Sequence, residues 1–475
     1  MKLEDDANAF NTCRKVIINK KPKNKKQYIM LRVKMVKLML VLIIGMALPQ
    51  LAAAQQQLTL KDALTFALQN NANIRKARLD IEGGRYKVQE VRAQALPTIN
   101  GTAGLTYNPI IGQQVVDFGG QLQTLKFGQK WNSSAGVALS QQIFNQQVFT
   151  GLQAARSSEE YYNLTSQLTE EQIIELVANN YYQVLVNRQQ LNVIDTNIKN
   201  VKVVEKIVAN QYQNGLARKI DVDRINVNLT NLVTQREQAV NGITQLENQL
   251  KFSMGMPVST DINLPITELT AVSQLPVFTD SIDLANRTEV KLLDNQDKLL
   301  SLQRKAYVAE YYPSLSLSGN YTYSSQSGGF DFLNSNSSAI GFGSSAIGLT
   351  LKVPIFNGFL TRSKIRQADV NIKKAQVDRR ESTNSLNLAY ENAKIQLKNN
   401  LNTINSQRKN ADLAQEIYKS TQNNYNNGLA SLTDLIDTEN ALTEAQNSYT
   451  QALLNYKVAE IQLIKSNGNI KSLVQ

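Results

Sequence analysis

Apolar positions recur every three or four residues along two very long stretches of this chain. In one, Leu386, Tyr390, Ala393, Leu397, Leu401 and Ile404 form a stripe that Ala411, Ala414, Tyr418, Thr421 and Tyr425 continue. In the other, Ile174, Val177, Tyr181, Val184, Arg188, Leu191 and Ile198 do the same more loosely. Three–four stepping sustained this far predicts helices packed as coiled coils. The patterns cover 145–213 and 357–426, and the first makes a rod of roughly 100 Å at 1.5 Å per residue. Shorter helical patterns precede them at 59–96 and 280–312 and follow them at 220–254 and 433–466. The two short helices of the first set have 38 and 35 residues. Stacked end to end they reach roughly 110 Å, so two short helices match one long one. The pair Gly83-Gly84 lies inside the first short helix, where it costs about 2 kcal/mol against alanine; a break is predicted there.

Between each short pattern and the long one that follows lie two segments of strict alternation. Strands are predicted at 97–107, 134–144, 314–323 and 346–353. In the first, Ile99, Gly101, Ala103, Leu105 and Tyr107 oppose Thr98, Asn100, Thr102, Gly104 and Thr106. Each strand is about ten residues, the length of a tilted strand across a bilayer. Tyr107, Phe144, Tyr321, Tyr323 and Phe356 gather at the strand ends, as an interfacial aromatic girdle would. A soluble sandwich reads the same alternation, but four strands do not make two stacked sheets of ordinary size. Strands in lipid must have paired edges, because unpaired amides there cost several kcal/mol each. Four strands cannot close a barrel, so copies of the chain must pool them. Two copies give eight, three give twelve and four give sixteen, which makes the chain an obligate homo-oligomer whose order stays open.

The two sets of elements are copies of one unit. "VRAQALPTINGTAGLTY" at 91–107 answers "AYVAEYYPSLSLSGNYTY" at 306–323, and "SSAGVALSQQIFN" at 133–145 answers "SSAIGLTLKVPIFN" at 344–357. "YQNGLARKIDVD" at 212–223 answers "YNNGLASLTDLID" at 425–437, with Gly215 and Gly428 213 residues apart. Such a period is a duplicated domain rather than a solenoid. The division expected is 1–54 leader, 55–255 first unit, 256–279 proline-containing linker, 280–468 second unit and 469–475 tail. The fold class expected is an α+β membrane protein: duplicated coiled-coil helices, with four strands per chain pooled into an oligomeric transmembrane β-barrel.

The net charge of +12 is concentrated at one end. Residues 1–54 hold eleven Lys and Arg against three acids, which leaves +4 for the rest. Residues 34–54 read as a secretory signal. Lys34 and Lys37 precede an apolar run at 38–48 that is too short to span a bilayer, and Ala52-Ala53-Ala54 offer a cleavage site. The functional start is then Met30 or Met35, and the basic "KNKK" is removed with the leader, so nucleic acid is not an expected partner. The single cysteine, Cys13, goes too, and the chain has no histidine. That removes disulfides, Cys- or His-based metal sites and Ser-His or Cys-His nucleophiles. No enzyme, no cofactor and no structural metal site are expected.

With its leader, duplicated hairpin–long-helix units and Tyr-x-x-Gly turns that reach an acid, the chain resembles the TolC family of outer-membrane efflux proteins over about 58–468. The resemblance implies a homotrimer in outer-membrane lipid: a twelve-stranded β-barrel continuing into a periplasmic α-helical barrel. It implies an exit duct of a tripartite efflux or type I secretion system, docking with a periplasmic adaptor (membrane fusion) protein and an inner-membrane transporter. The segments 108–133 and 324–345 become extracellular loops. The NG turns with Gly215 and Gly428 become the periplasmic tip, where the duct narrows and opens. The family's aperture aspartates fall on Asp434 and Asp437. Being at i and i+3 they share a helix face, and in a symmetric trimer they form two rings of carboxylates that favour cations, bind divalent ions and repel anions. By the same resemblance Asp221 pairs with Tyr425 across neighbouring helices and latches the tip. A second, basic latch residue belongs at Ala430; the chain has none there, and Arg218 in the other copy is the nearby substitute.

Other readings bear on the same residues. Ser431-x-x-Asp434 is a capping box, and Gly215 and Gly428 suit residues that end the long helices. A trimeric surface adhesin or structural coiled coil also donates four strands per chain, but places them together at its C-terminus. The cargo is not written in the sequence.

Overall fold

Residues 57–270, 282–330 and 339–474 are described by the structure, a computed structural model. The signal-like segment 1–54, linker residues 271–279 and loop residues 331–338 lie outside them. Thr59–Gln475 form one unit. In chain order it contains α1 (Leu60–Asn70), α2 (Ala72–Ala93), β1 (Thr98–Tyr107), β2 (Gln113–Phe118), β3 (Gln121–Lys126), β4 (Trp131–Phe144), α3 (Gln146–Gln213) and α4 (Lys219–Met254). The second half repeats the plan with α5 (Thr288–Ala309), β5 (Ser314–Ser327), β6 (Ile340–Lys352), α6 (Leu360–Asn426) and α7 (Leu432–Ser466).

The long helices α3 and α6 have 68 and 67 residues, each roughly 100 Å. Each is matched by two shorter ones laid end to end. Along its first half α3 meets α2 and α5, through Arg85–Glu159 and Lys298–Glu160. From near its middle onward it meets α7 and α4, through Lys465–Glu175, Arg188–Glu247 and Arg236–Asp195. Helix α6 runs first against α5, through Arg304–Asp369, and then against α7, where Asn400 donates to the Asn455 carbonyl. Of the stripe on α3, Ile174, Val177, Tyr181, Val184 and Ile198 are buried, Arg188 and Leu191 are half-buried, and Val201, Val204 and Val208 extend it. Of the stripe on α6, Tyr390, Ala393, Leu397, Ile404 and Tyr418 are buried and the rest half-buried.

The middle of α3 is buried on several faces, Val184, Leu185 and Val186 in succession, because the short helices change over there. Asn71 sits at that changeover. Its Oδ1 accepts from the Asn73 and Ile74 amides at the start of α2, and its Nδ2 donates to the Ser253 carbonyl of α4 at 2.7 Å. The break in the first short helix is therefore at Asn71. The expectation of a break at Gly83-Gly84 is corrected, since α2 runs through both. Gly84 has a packing reason instead: a Cβ there would stand 2.6 Å from the Tyr162 ring of α3.

The strands β1-β4-β5-β6 form one antiparallel sheet in that order. They run further than predicted on the loop side, β4 beginning at Trp131, β5 ending at Ser327 and β6 beginning at Ile340. Segment 108–133, expected as a loop, contains the hairpin β2–β3, which turns through Gly119-Gly120 with φ of +64° and +91°. Two successive left-handed residues make a tight two-residue hairpin turn, and glycine is the residue that takes it without strain.

Register places Ile99 beside Leu139, Leu139 beside Gly319 and Gly319 beside Ile347, and sets Gly101 beside Val137 and Val137 beside Tyr321. One face of the sheet is thus mainly apolar, with Ser345 beside Tyr321 and Gln141 beside Leu317 among the polar exceptions. The opposite face carries Thr98, Ser140, Ser318 and Gly348 in one row and Asn100, Ala138, Asn320 and Ala346 in the next. Within one chain the apolar face is open: Ile347 is 86% exposed and Ile99 67%. Strands β1 and β6 end the sheet, each paired on one side only. Lys352 is the one charged residue in the four strands.

The two adjacent glycines of α2 separate helix propensity from packing. Gly83 has open space around it, so Gly83→Ala is expected to stabilise the protein by about 0.5–1 kcal/mol. Gly84→Ala is expected to destabilise it by about 1–3 kcal/mol through the Tyr162 clash. Thermal unfolding in detergent measures both, and equal shifts of the same sign would refute this packing account.

Candidate functional site at the tip of the helical hairpins

Both long helices end the same way. The Leu216 amide donates to the Gln211 carbonyl at 2.7 Å and Gly215 to Tyr212 at 3.0 Å. In the second copy Leu429 donates to Asn424 at 2.8 Å and Gly428 to Tyr425 at 3.0 Å. These paired bonds satisfy the last helical carbonyls, and they need a left-handed residue between them. Gly215 and Gly428 supply it with φ of +73° and +74°.

The return helices begin differently. At α7 the Asp434 amide donates to the Ser431 hydroxyl at 3.2 Å, while the Asp434 carboxylate accepts from the Ser431 amide at 3.0 Å and its hydroxyl at 2.8 Å. These bonds, first the side-chain one, hold the Asp434 carboxyl below its ordinary value. Asp437, one turn on, caps nothing; both acids are exposed. At α4 the cap position is Arg218, whose guanidinium has no acceptor to offer. Here the acid reaches back alone: Asp221 accepts from the Arg218 amide at 3.3 Å and from its Nε at 3.2 Å. The Arg218 hydrogen bond holds the Asp221 carboxyl below its ordinary value. A lowered carboxyl pKa means that both caps are intact above the ordinary value of 3.8 and fail only as pH falls below it.

The structure brings Arg218 and Asp221 together, but Asp221 does not reach the Tyr425 hydroxyl. That hydroxyl, half-buried, donates to Gln211 Oε1 at 3.5 Å. Burial and then the Asp221 charge push the Tyr425 pKa up, so the acid lies nearby without bonding. Below the turns, Val208, Ile225, Leu432 and Leu435 join the helices of both copies in one apolar cluster. Two further contacts cross between the copies. Arg224 donates to the Thr433 hydroxyl and Asn197 to the Thr443 hydroxyl, each at 2.5 Å. Sequence reading passed over Gln211, Arg224, Thr433, Asn197 and Thr443. For Asn197 the signal was present: it is an amide beside the buried stripe of Ile198 and Val201, where a buried polar group needs a partner.

The chain matches the family described as Outer membrane efflux protein over residues 63–256 and 284–469. Outer membrane protein TolC of Escherichia coli (strain K12) is 21% identical over 457 residues, covering 91% of this chain and 87% of its own. Among solved structures, the outer-membrane channel OprN superposes with a TM-score of 0.69 at 15% identity, covering 86% of this chain and 90% of its own. The open state of the Neisseria gonorrhoeae MtrE outer membrane channel gives 0.68 at 19% identity, covering 88% of this chain and 90% of its own. These structures share the fold of long helices carrying a four-stranded sheet. The family match spans both copies of the duplicated unit, and the chain belongs to the outer membrane efflux protein family.

Proposed function

We propose that three copies of this chain form a passive exit duct through the outer membrane, opened at its helical tip by a periplasmic adaptor and an inner-membrane transporter. The observation that carries this reading is the open sheet. Its apolar face is bare and both its edges are unpaired within the chain, a state that lipid does not tolerate. Three such sheets supply twelve strands, and the helices that leave them extend the wall roughly 100 Å into the periplasm. The tip supports partner docking: Leu216 and Leu429, just beyond the two glycines, are 80% and 78% exposed.

Asp434 and Asp437 lie on one exposed face at the start of α7, the placement needed to line an aperture. The cap formed by Asp434 and a lumen role are compatible, because a carboxylate that accepts two hydrogen bonds keeps its charge. Arg218, Asp221 and Tyr425 form the latch: the Asp221–Arg218 pair holds the start of α4, and Tyr425 ties the end of α6 to Gln211 of α3. Of these contacts Tyr425–Gln211 crosses between the hairpins, so loosening it frees one from the other, while loss of the Asp221–Arg218 pair frays the start of α4.

Planar bilayers test both roles. Replacing Asp434 and Asp437 together by alanine is expected to abolish cation selectivity and block by divalent cations. Unchanged selectivity and block would place these acids away from the lumen. Asp221→Ala and Tyr425→Phe are each expected to raise single-channel conductance, and a closed-level conductance unmoved by either would reduce these residues to helix caps. A chain that runs as a monomer in mild detergent would overturn the pooled barrel itself.

A further inference from the structure

Along α7 the buried positions step through Leu432, Leu435, Glu439 and Leu442. The spacing is that of a coiled-coil seam, and Glu439 is its one acid. It is 4% exposed, and its Oε1 has no hydrogen-bond partner. The Asn197–Thr443 bond and the Glu175–Lys465 pair set α3 antiparallel to α7, a register that brings Glu439 level with Val201, which is 0% exposed. On the other side stands Tyr418 of α6, about two turns from the NG turn, as Glu439 is.

Tyr418 is the titratable group that faces Glu439. Burial and the Glu439 charge push its hydroxyl up to about 12, so it is neutral whenever Glu439 titrates. Lys199 and Lys202 of α3, Arg224 of α4, Glu416 and Lys419 of α6, and Asp437 and Glu444 of α7 are exposed. No charged side chain offsets the burial, which raises the Glu439 carboxyl from 4.5 to about 7. A lone carboxylate among leucines costs far more than the neutral acid.

We propose that Glu439 is a proton-controlled release on the tip. Protonated, it lies neutral in the seam and α7 stays packed on α3 and α6; ionised, it must reach water, which only a loosened α7 allows. The packed state holds the proton more tightly than the loosened one. Packing is therefore at full strength below 4.5, weakens as pH rises from there, and weakens no further above about 7. The effect on transport rests on the reading of the NG turns as the gate; the effect on packing does not.

The test pairs hydrogen exchange over residues 432–442, corrected for intrinsic pH dependence, with open probability of the full-length protein in planar bilayers. Between about pH 6 and about pH 8, opening of these turns is expected to rise about tenfold in each protomer, with open probability rising alongside. Glu439→Gln, which keeps the shape and removes the charge, is expected to flatten both responses. Wild-type exchange that does not respond, or a Glu439→Gln protein that responds as wild type does, overturns the proposal. Exchange that responds while conductance stays flat upholds the release and overturns the tip as gate. If Glu439→Gln fails to assemble, wild-type exchange alone decides.

Discussion

A backbone amide in hydrocarbon has nothing to bond except another amide. Everything above the tip follows from that constraint acting on a sheet of four strands. The chain makes three of the strand pairings and leaves β1 and β6 open, so closure must come from other copies. The helices inherit the ring. Only Asn145 separates the end of β4 from the start of α3, and its side chain caps that helix by accepting from the Gln147 amide. A wall of strands is thus handed directly to a wall of helices, and the circumference set in lipid constrains the helical part.

The helical wall has a second constraint, length. No short helix spans the rod, so each long helix is served by two, and their ends must be satisfied where they meet. Asn71 does this by bonding α2 and α4 at once. In the second copy the buried Arg287 donates to the Lys465 carbonyl near the end of α7 and pairs with Glu289 at the start of α5. The charged groups around mid-α3, Glu170, Glu171 and Glu175, take Lys471, Thr288 and Lys465 as partners. This belt binds the two copies at the level where neither has a continuous short helix. The tip, by contrast, is joined by one apolar cluster and a few hydrogen bonds, with no ion pair between the copies among the described residues there, so it is the looser end.

What was legible in the sequence is what periodicity carries. Three–four stepping marked α3 and α6, and strict alternation marked the strands, because each period reports a face that must be buried. What was not legible depends on residues far away in sequence. The break at Asn71 is confirmed by Ser253, 182 positions on, and Gly84 is explained only by Tyr162. The β2–β3 hairpin had a local signal, two glycines between alternating residues, but it sat in a stretch whose glycines and polar residues also suit a loop. At the tip, the acids 434 and 437 could be read as sharing a helix face. The bonds that Tyr425 and Arg224 make could not, since nothing local couples Tyr425 to Gln211 or Arg224 to Thr433. Glu439 stood in plain view as an acid at a leucine position.

Soluble proteins protect sheet edges with lysines, prolines and bulges, which discourage other strands from adding on. Here β1 carries no charge and β6 has Lys352 only at its last residue. Those guards are missing because they would obstruct the joining of copies. The cost falls on the chain in transit. A copy folded before it reaches lipid would present two sticky edges and a greasy face to every other copy in the aqueous compartment it crosses. An edge without guards and a face without cover favour the sheet only where lipid and further copies are already at hand, which ties its stability to insertion and assembly.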